Sequence, residues 1–242
     1  MFFWLARVLR RRRLAKRPMP SGWQQLAAQK FPFIAALPAD ERDRFLLHLK
    51  VFGLEKTWEG AKGLVVTDEM KVVVSGAAAR LSRNLSLDAY DELQTVLLYD
   101  SSWVGTQSEA QTLGEAHRRG LVILAWDAVK HGLARHDDGR DVALHELAHA
   151  LDVSDGDFDG TPPLHAYGDY RAWAQVFHAH FVRLQQRPHA NVLDAYGATN
   201  EAEFFAVATE TFFEKPAALR KKAPDLYAEL KRFYRTDPAG PR

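Results

Sequence analysis

The chain has 242 residues, a formal net charge of +1, 47% hydrophobic and 26% charged residues. That is the usage of a folded soluble chain and excludes disordered and fibrous classes. Cysteine is absent, which excludes a disulfide framework, a thiolate metal site, an iron–sulfur cluster and a cysteine nucleophile.

Residues 1–20 read as a basic amphipathic arm. Arg7, Arg10, Arg11, Arg12, Arg13, Lys16 and Arg17 stand there without an acid, which leaves 25 basic against 31 acidic groups in the rest. A body with that balance is not expected to bind nucleic acid. As a helix, residues 2–17 set Phe, Trp and Leu against Arg. That predicts a helix packed on the body with its arginines in solvent, or weak contact with a membrane surface. Its charges follow the apolar stretch, the reverse of a signal peptide, and no run approaches the ~20 apolar residues of a membrane span.

Pro18, Pro20 and Gly22 separate the arm from a single domain expected over residues 21–236, with a flexible tail at 237–242. Residues 23–51 predict two helices, the second starting at Asp40, and residues 54–62 look helical or turn-like. An Ala-rich apolar segment at 68–84 predicts a helix. The period then changes: Thr95–Tyr99 and Leu121–Trp126 are short apolar runs that read as buried strands. Helical spacing returns at 140–152, and Gly156, Gly160, Pro162 and Pro163 mark a long loop. Residues 168–187, 200–214 and 216–234 predict further helices. Helices flanking a small sheet make the fold class α+β, mostly helical.

The run His145-Glu146-Leu147-Ala148-His149 carries the chemistry. On a helix, positions i and i+4 share a face, so both imidazoles can reach one Zn²⁺. Glu146 stands beside the metal, where a base must be to take a proton from an activated water. A catalytic zinc needs a third protein ligand, which without cysteine is His, Asp or Glu. Asp152 shares the face of both histidines and suits a hydrogen bond to a ligand histidine better than the metal itself; a polar residue near the helix end is the plainer reading. The segment 200–214 offers Glu203 and Glu210 on one stripe, flanking Ala206 and Val207. Asn200 followed by Glu203 also fits a capping box, and spacing alone does not separate Glu203 from Glu210. His178 and His180 lie two apart on a helix and are expected at the surface.

Two segments resemble a known family. Leu144 through Asp152 and Tyr196-Gly-Ala-Thr-Asn-Glu-Ala-Glu203 resemble the zinc-binding segments of the Mlc titration factor A (MtfA) peptidases and of the anthrax lethal factor catalytic domain. The MtfA resemblance extends to Leu124-Ala-Trp-Asp, to Asp155-Gly through Gly160-Thr-Pro-Pro-Leu, and to the Trp173 helix, covering roughly residues 20–235. It implies a zincin-like metallopeptidase domain with His145, His149 and Glu203 as zinc ligands. It also implies Glu146 as general base and Tyr196 as a hydroxyl near the oxyanion. The arginine run has no counterpart in that pattern.

The expected reaction is metal-assisted amide hydrolysis on a peptide or protein substrate, aminopeptidase-type on short peptides by the same resemblance. Read from the residues alone, Tyr196 packs a Gly-containing turn, from which its phenol can also lean over the metal and donate to an oxyanion. The strand Leu121–Trp126 offers an edge for an extended peptide. The resemblance also implies a cytoplasmic protein that captures the glucose repressor Mlc and so affects sugar uptake. A regulatory binding protein with secondary peptidase activity is the alternative.

Overall fold

The computed structural model describes residues 2–101, 119–135, 139–153 and 156–240. It begins with helix α1 (Phe2–Lys16), α2 (Trp23–Lys30), a 3₁₀ turn at Pro32–Ala36, and α3 (Ala39–Glu55). Asp40 and Glu41 sit in the first turn of α3, where acidic groups complement the helix dipole, and Phe45, Leu49 and Phe52 bury one face. Helix α1 lies along α3: Leu14 is buried, and Arg11 pairs with Glu55 at 2.8 Å and with Asp91.

Residues 54–62 differ from the expectation of helix or turn. Helix α3 ends at Glu55, and Thr57–Gly60 forms strand β1, followed by a 3₁₀ turn at Ala61–Gly63. The strand is four residues long, lies at a sheet edge and alternates between exposed and half-buried, so it carries no apolar run. With β2 (Thr95–Tyr99) and β3 (Leu121–Ala125) it makes a parallel sheet in the order β1-β2-β3, in which Thr95 faces both Thr57 and Leu121. Between β1 and β2, helix α4 (Asp68–Ser82) is capped by Thr67, whose hydroxyl accepts the Met70 N–H at 3.3 Å. It is buried along nearly its whole length between α3 and the helix that carries His145 and His149, which explains its Ala-rich sequence.

Strand β3 runs directly into α5 (Trp126–Ala134), a helix that the sequence reading left out. Then come α6 (Val142–Asp152), α7 (Asp169–Gln186) and α8 (Glu201–Glu214). The single helix expected at 216–234 is two, α9 (Pro216–Lys222) and α10 (Pro224–Tyr234). Pro224 disfavours helical backbone at the residue before it, and Ala223 leaves the helix at φ −143°. Residues 237–240 return to α10, where Asp237 accepts from Lys231 Nζ at 2.6 Å and Ala239 N–H donates to Tyr227 Oη at 3.0 Å.

The fold is α+β and mostly helical, with α6 and α8 packed together as its centre. Beneath α8, Trp173 stacks on Phe177 with ring centroids 3.8 Å apart, and Phe204, Phe205 and Phe233 close around them. No helix among the described residues is long and apolar enough to cross a membrane.

Candidate metal centre

The centre is assembled on one face of α6 and the first turn of α8. Asp141 caps α6, its carboxylate accepting the Ala143 and Leu144 N–H groups at 2.9 and 3.1 Å. One turn on, His145 and His149 project from the same face, with Nε2 atoms 3.1 Å apart. Asn200 caps α8 by accepting the Glu203 N–H at 2.9 Å. Only half of the capping box is used, because the Glu203 carboxylate turns to the histidines instead. Its Oε2 lies 2.9 Å from His145 Nε2 and 3.3 Å from His149 Nε2.

These three donor atoms form a nearly equilateral triangle. Ligands about 2.0–2.1 Å from one tetrahedral ion would stand about 3.3 Å from each other, so small shifts would seat a zinc-sized cation. Among the described residues, His145, His149 and Glu203 are the group that can hold a metal. Glu210, about one α8 turn beyond Ala206, has a different place. It lies behind His145, with Oε1 2.7 Å from Nδ1 and Oε2 accepting the Asp141 N–H at 2.7 Å.

The electrostatics favour a cation. Burial opposes charge on His145, but hydrogen bonds to Glu203 and Glu210 and the nearby Glu146 carboxylate raise its pKa well above 6.5. His149 is lowered, first by burial and also by the charge of His145. Burial would raise Glu203, yet both histidines hold it well below the usual carboxylate range. For Glu210 burial prevails and its pKa is raised. A potential that favours a proton on a buried imidazole favours a metal ion in its place.

Glu146 is 8% exposed and close enough to raise the pKa of both His145 and Tyr196. Tyr196 belongs to a 3₁₀ turn at Ala195–Ala198, is 49% exposed, and its ring centroid is 6.0 Å from that of His145. Burial first, and then Glu203 and Glu146, push its phenol up to about 12, so it stays protonated and able to donate. Asp152 is fully buried. One of its oxygens accepts the Gly160 N–H at 2.9 Å, which ties the end of α6 to the loop beyond it. Gly160 has φ +80°, and a Cβ there would meet the Glu201 carbonyl oxygen at 2.3 Å, so the loop rests on the first residue of α8.

Two contributions escaped sequence reasoning. Asp194 accepts the Tyr196 N–H at 2.9 Å and two bonds from Arg140, at 2.9 and 2.6 Å, which tethers the tyrosine turn beside the start of α6. The Asp two residues before Tyr196 is the only sequence signal for this, an Asx-type turn. The Phe158 ring packs 4.9 Å from that of His149, and nothing in the spacing announces it. His178 is exposed as expected, but His180 is not: it is 3% exposed, with Nε2 2.8 Å from Asp225 Oδ1. The expectation rested on spacing within one helix, and the neighbouring α10 covers that face.

Two histidines one turn apart, a glutamate beside the first and a carboxylate from a second helix fit the donor set of a metallopeptidase. The chain belongs to the glucose-regulated metallo-peptidase M90 family, whose model matches residues 5–235. It is 34% identical to an uncharacterized protein of Synechocystis sp., over 95% of this chain and 89% of that protein. It is 29% identical to Mlc titration factor A of Serratia proteamaculans, over 89% of this chain and 87% of the relative. The same-named protein of Pectobacterium atrosepticum is 28% identical, with 89% and 86% covered. Membership of a metallopeptidase family implies a metal, and the converging donor set fits one.

Proposed function

We propose that the chain is a zinc-dependent peptidase in which His145, His149 and Glu203 hold the metal and Glu146 is the general base. The observation that supports this most is the convergence of three ligand atoms from two helices, with Glu146 on the adjacent helical position. Zinc bound there would supply Lewis acidity, polarising a scissile carbonyl and acidifying water. The chain's own residues do the rest. Glu146 takes a proton from the attacking water and passes it to the leaving amine. Tyr196 Oη donates to the developing oxyanion from the exposed side of the centre. Glu210 accepts from His145 Nδ1, which leaves the Nε2 lone pair facing the metal.

Among the described residues β3 is an outer strand of the sheet and leads through α5 to the helix of His145 and His149, and an extended substrate pairing along its edge would bring its scissile bond toward the centre. Aminopeptidase-type cleavage of short peptides is the substrate reading that the MtfA resemblance favours. The test is metal content and hydrolysis of short aminoacyl substrates by purified protein. We expect one zinc per chain, loss of activity with a chelator and recovery with zinc. Full activity in Glu146→Gln would overturn the reading.

The relatives' name, Mlc titration factor A, favours a second role for the same fold, binding a transcriptional repressor of the Mlc type in the cytoplasm. Such binding does not need Glu146. A Glu146→Gln protein that keeps its zinc, loses hydrolysis and still binds the repressor would separate the two roles.

A further inference from the structure

We propose that the outward face of α1 docks on an anionic lipid surface. The structure sorts the cations of the arm into two sets. Arg7, Arg11 and Leu14, spaced i, i+4 and i+7, form the inner set. Arg7 donates to the Asp91 carbonyl oxygen at 3.1 Å and lies 3.3 Å from Glu92 Oε1. Arg11 is 4% exposed between Glu55 and Asp91. These contacts hold the helix against the body and consume two of its seven charges.

The outer set is different. Arg10, Arg12, Arg13, Lys16 and Arg17 are all exposed. Arg10 gives one bond to the Glu55 carbonyl oxygen, whereas Arg12, Arg13, Lys16 and Arg17 make no ion pair among the described residues. Leu9, 44% exposed, stands among them. A cationic helix face with the exposed Leu9 among its charges suits the headgroup layer, where cations meet anionic lipids and an apolar side chain sinks beneath them. A nucleic acid would match the cations but has no use for the exposed leucine. The rest of the chain, with 25 basic and 31 acidic groups, would repel a polyanion reaching past the arm. With this face on a membrane, acidic groups farther from it than a Debye length of about 8 Å are screened.

The test is sedimentation of the full-length zinc-loaded protein with phosphatidylcholine vesicles, with and without phosphatidylglycerol. Arg12→Glu with Arg13→Glu alters only exposed, unpaired residues. Lys221→Glu with Lys222→Glu makes the same charge change on exposed residues of α9. We expect binding to the anionic vesicles alone, weakened by salt and reduced at least about 10-fold by the α1 pair. The α9 pair should bind as wild type, and unchanged zinc content and melting temperature will show that both variants fold. Equal losses in the two pairs would reduce the effect to net charge and overturn the proposal. So would wild-type protein that ignores phosphatidylglycerol, or that binds an RNA oligomer more tightly than vesicles at equal salt.

Discussion

Glu210 and His145 stand 2.7 Å apart, carboxylate to Nδ1, although 65 residues separate them in the chain. Because the other Glu210 oxygen accepts the Asp141 N–H, one buried carboxylate fixes both the start of α6 and the tautomer of the first histidine on it. Glu203, two turns earlier on the same face of α8, reaches the opposite ring nitrogen. The two acids thus hold one imidazole from both sides.

This division sets the expected metal affinities. His145→Ala, His149→Ala and Glu203→Ala should each abolish stoichiometric zinc in the purified protein, because two protein ligands remain. Glu210→Ala should keep zinc when the metal is in excess but bind it about 10–100-fold more weakly. Competition with a chromogenic chelator measures this. Zinc retained by Glu203→Ala and lost from Glu210→Ala would reverse the roles.

A hydroxyl that acts on the oxyanion contributes mainly in the transition state. Tyr196→Phe should therefore lower kcat by up to about 10²-fold and change KM little, the half-exposed position letting water substitute in part. Zinc content should not change. Glu146→Gln should cost more in the same assay, since no positioned proton acceptor remains. A Phe variant with wild-type turnover would reduce Tyr196 to packing.

The arm should behave as part of the folded body. Arg11→Met leaves Glu55 and Asp91 without their shared cation in a mostly buried place, and should destabilise the chain by about 3 kcal/mol. Arg12→Met, on the exposed side, should stay within about 0.5 kcal/mol of wild type. Urea unfolding of the two variants makes the comparison, and equal stabilities would show that α1 contributes nothing to the fold.

His48 predicts an acid-sensitive component of stability. Burial first, and then Arg44, lower its pKa to about 4, while Nδ1 lies 3.0 Å from Ser82 Oγ. Between pH 6.5 and 4 the unfolded chain takes up a proton that the folded one refuses, so stability falls as pH falls through that window. The loss reaches about 3 kcal/mol at its lower end. His48→Gln removes this component, so the stability difference between wild type and variant should shrink on going from pH 7 to pH 4.5. A difference independent of pH would mean that His48 titrates alike in both states.

The joint placement of His145, Glu146 and His149 was legible because all three lie within five residues on one helix, where spacing alone fixes direction. Glu203 and Glu210 were not separable in that way. They share a stripe of α8, and only the packing of α8 on α6 decides which meets Nε2 and which meets Nδ1. Strand β1 was hidden because an exposed edge strand of four residues has no apolar signature. The arginine run looked uniform for a similar reason: Arg11 is set apart by Glu55 and Asp91, both more than forty residues away.

Gly160 lies outside the cluster of His145, His149 and Glu203, yet it spans the gap between the two helices that carry them. Its N–H goes to Asp152 at the end of α6, and its missing side chain makes room for the Glu201 carbonyl at the start of α8. The relative register of the two histidines and the glutamate is thus set by a spacer with no chemistry of its own. In a screen of random variants scored by hydrolysis, position 160 should sort with the metal ligands, accepting no other residue. Neighbouring Asp159, exposed and free of that steric limit, should tolerate most substitutions.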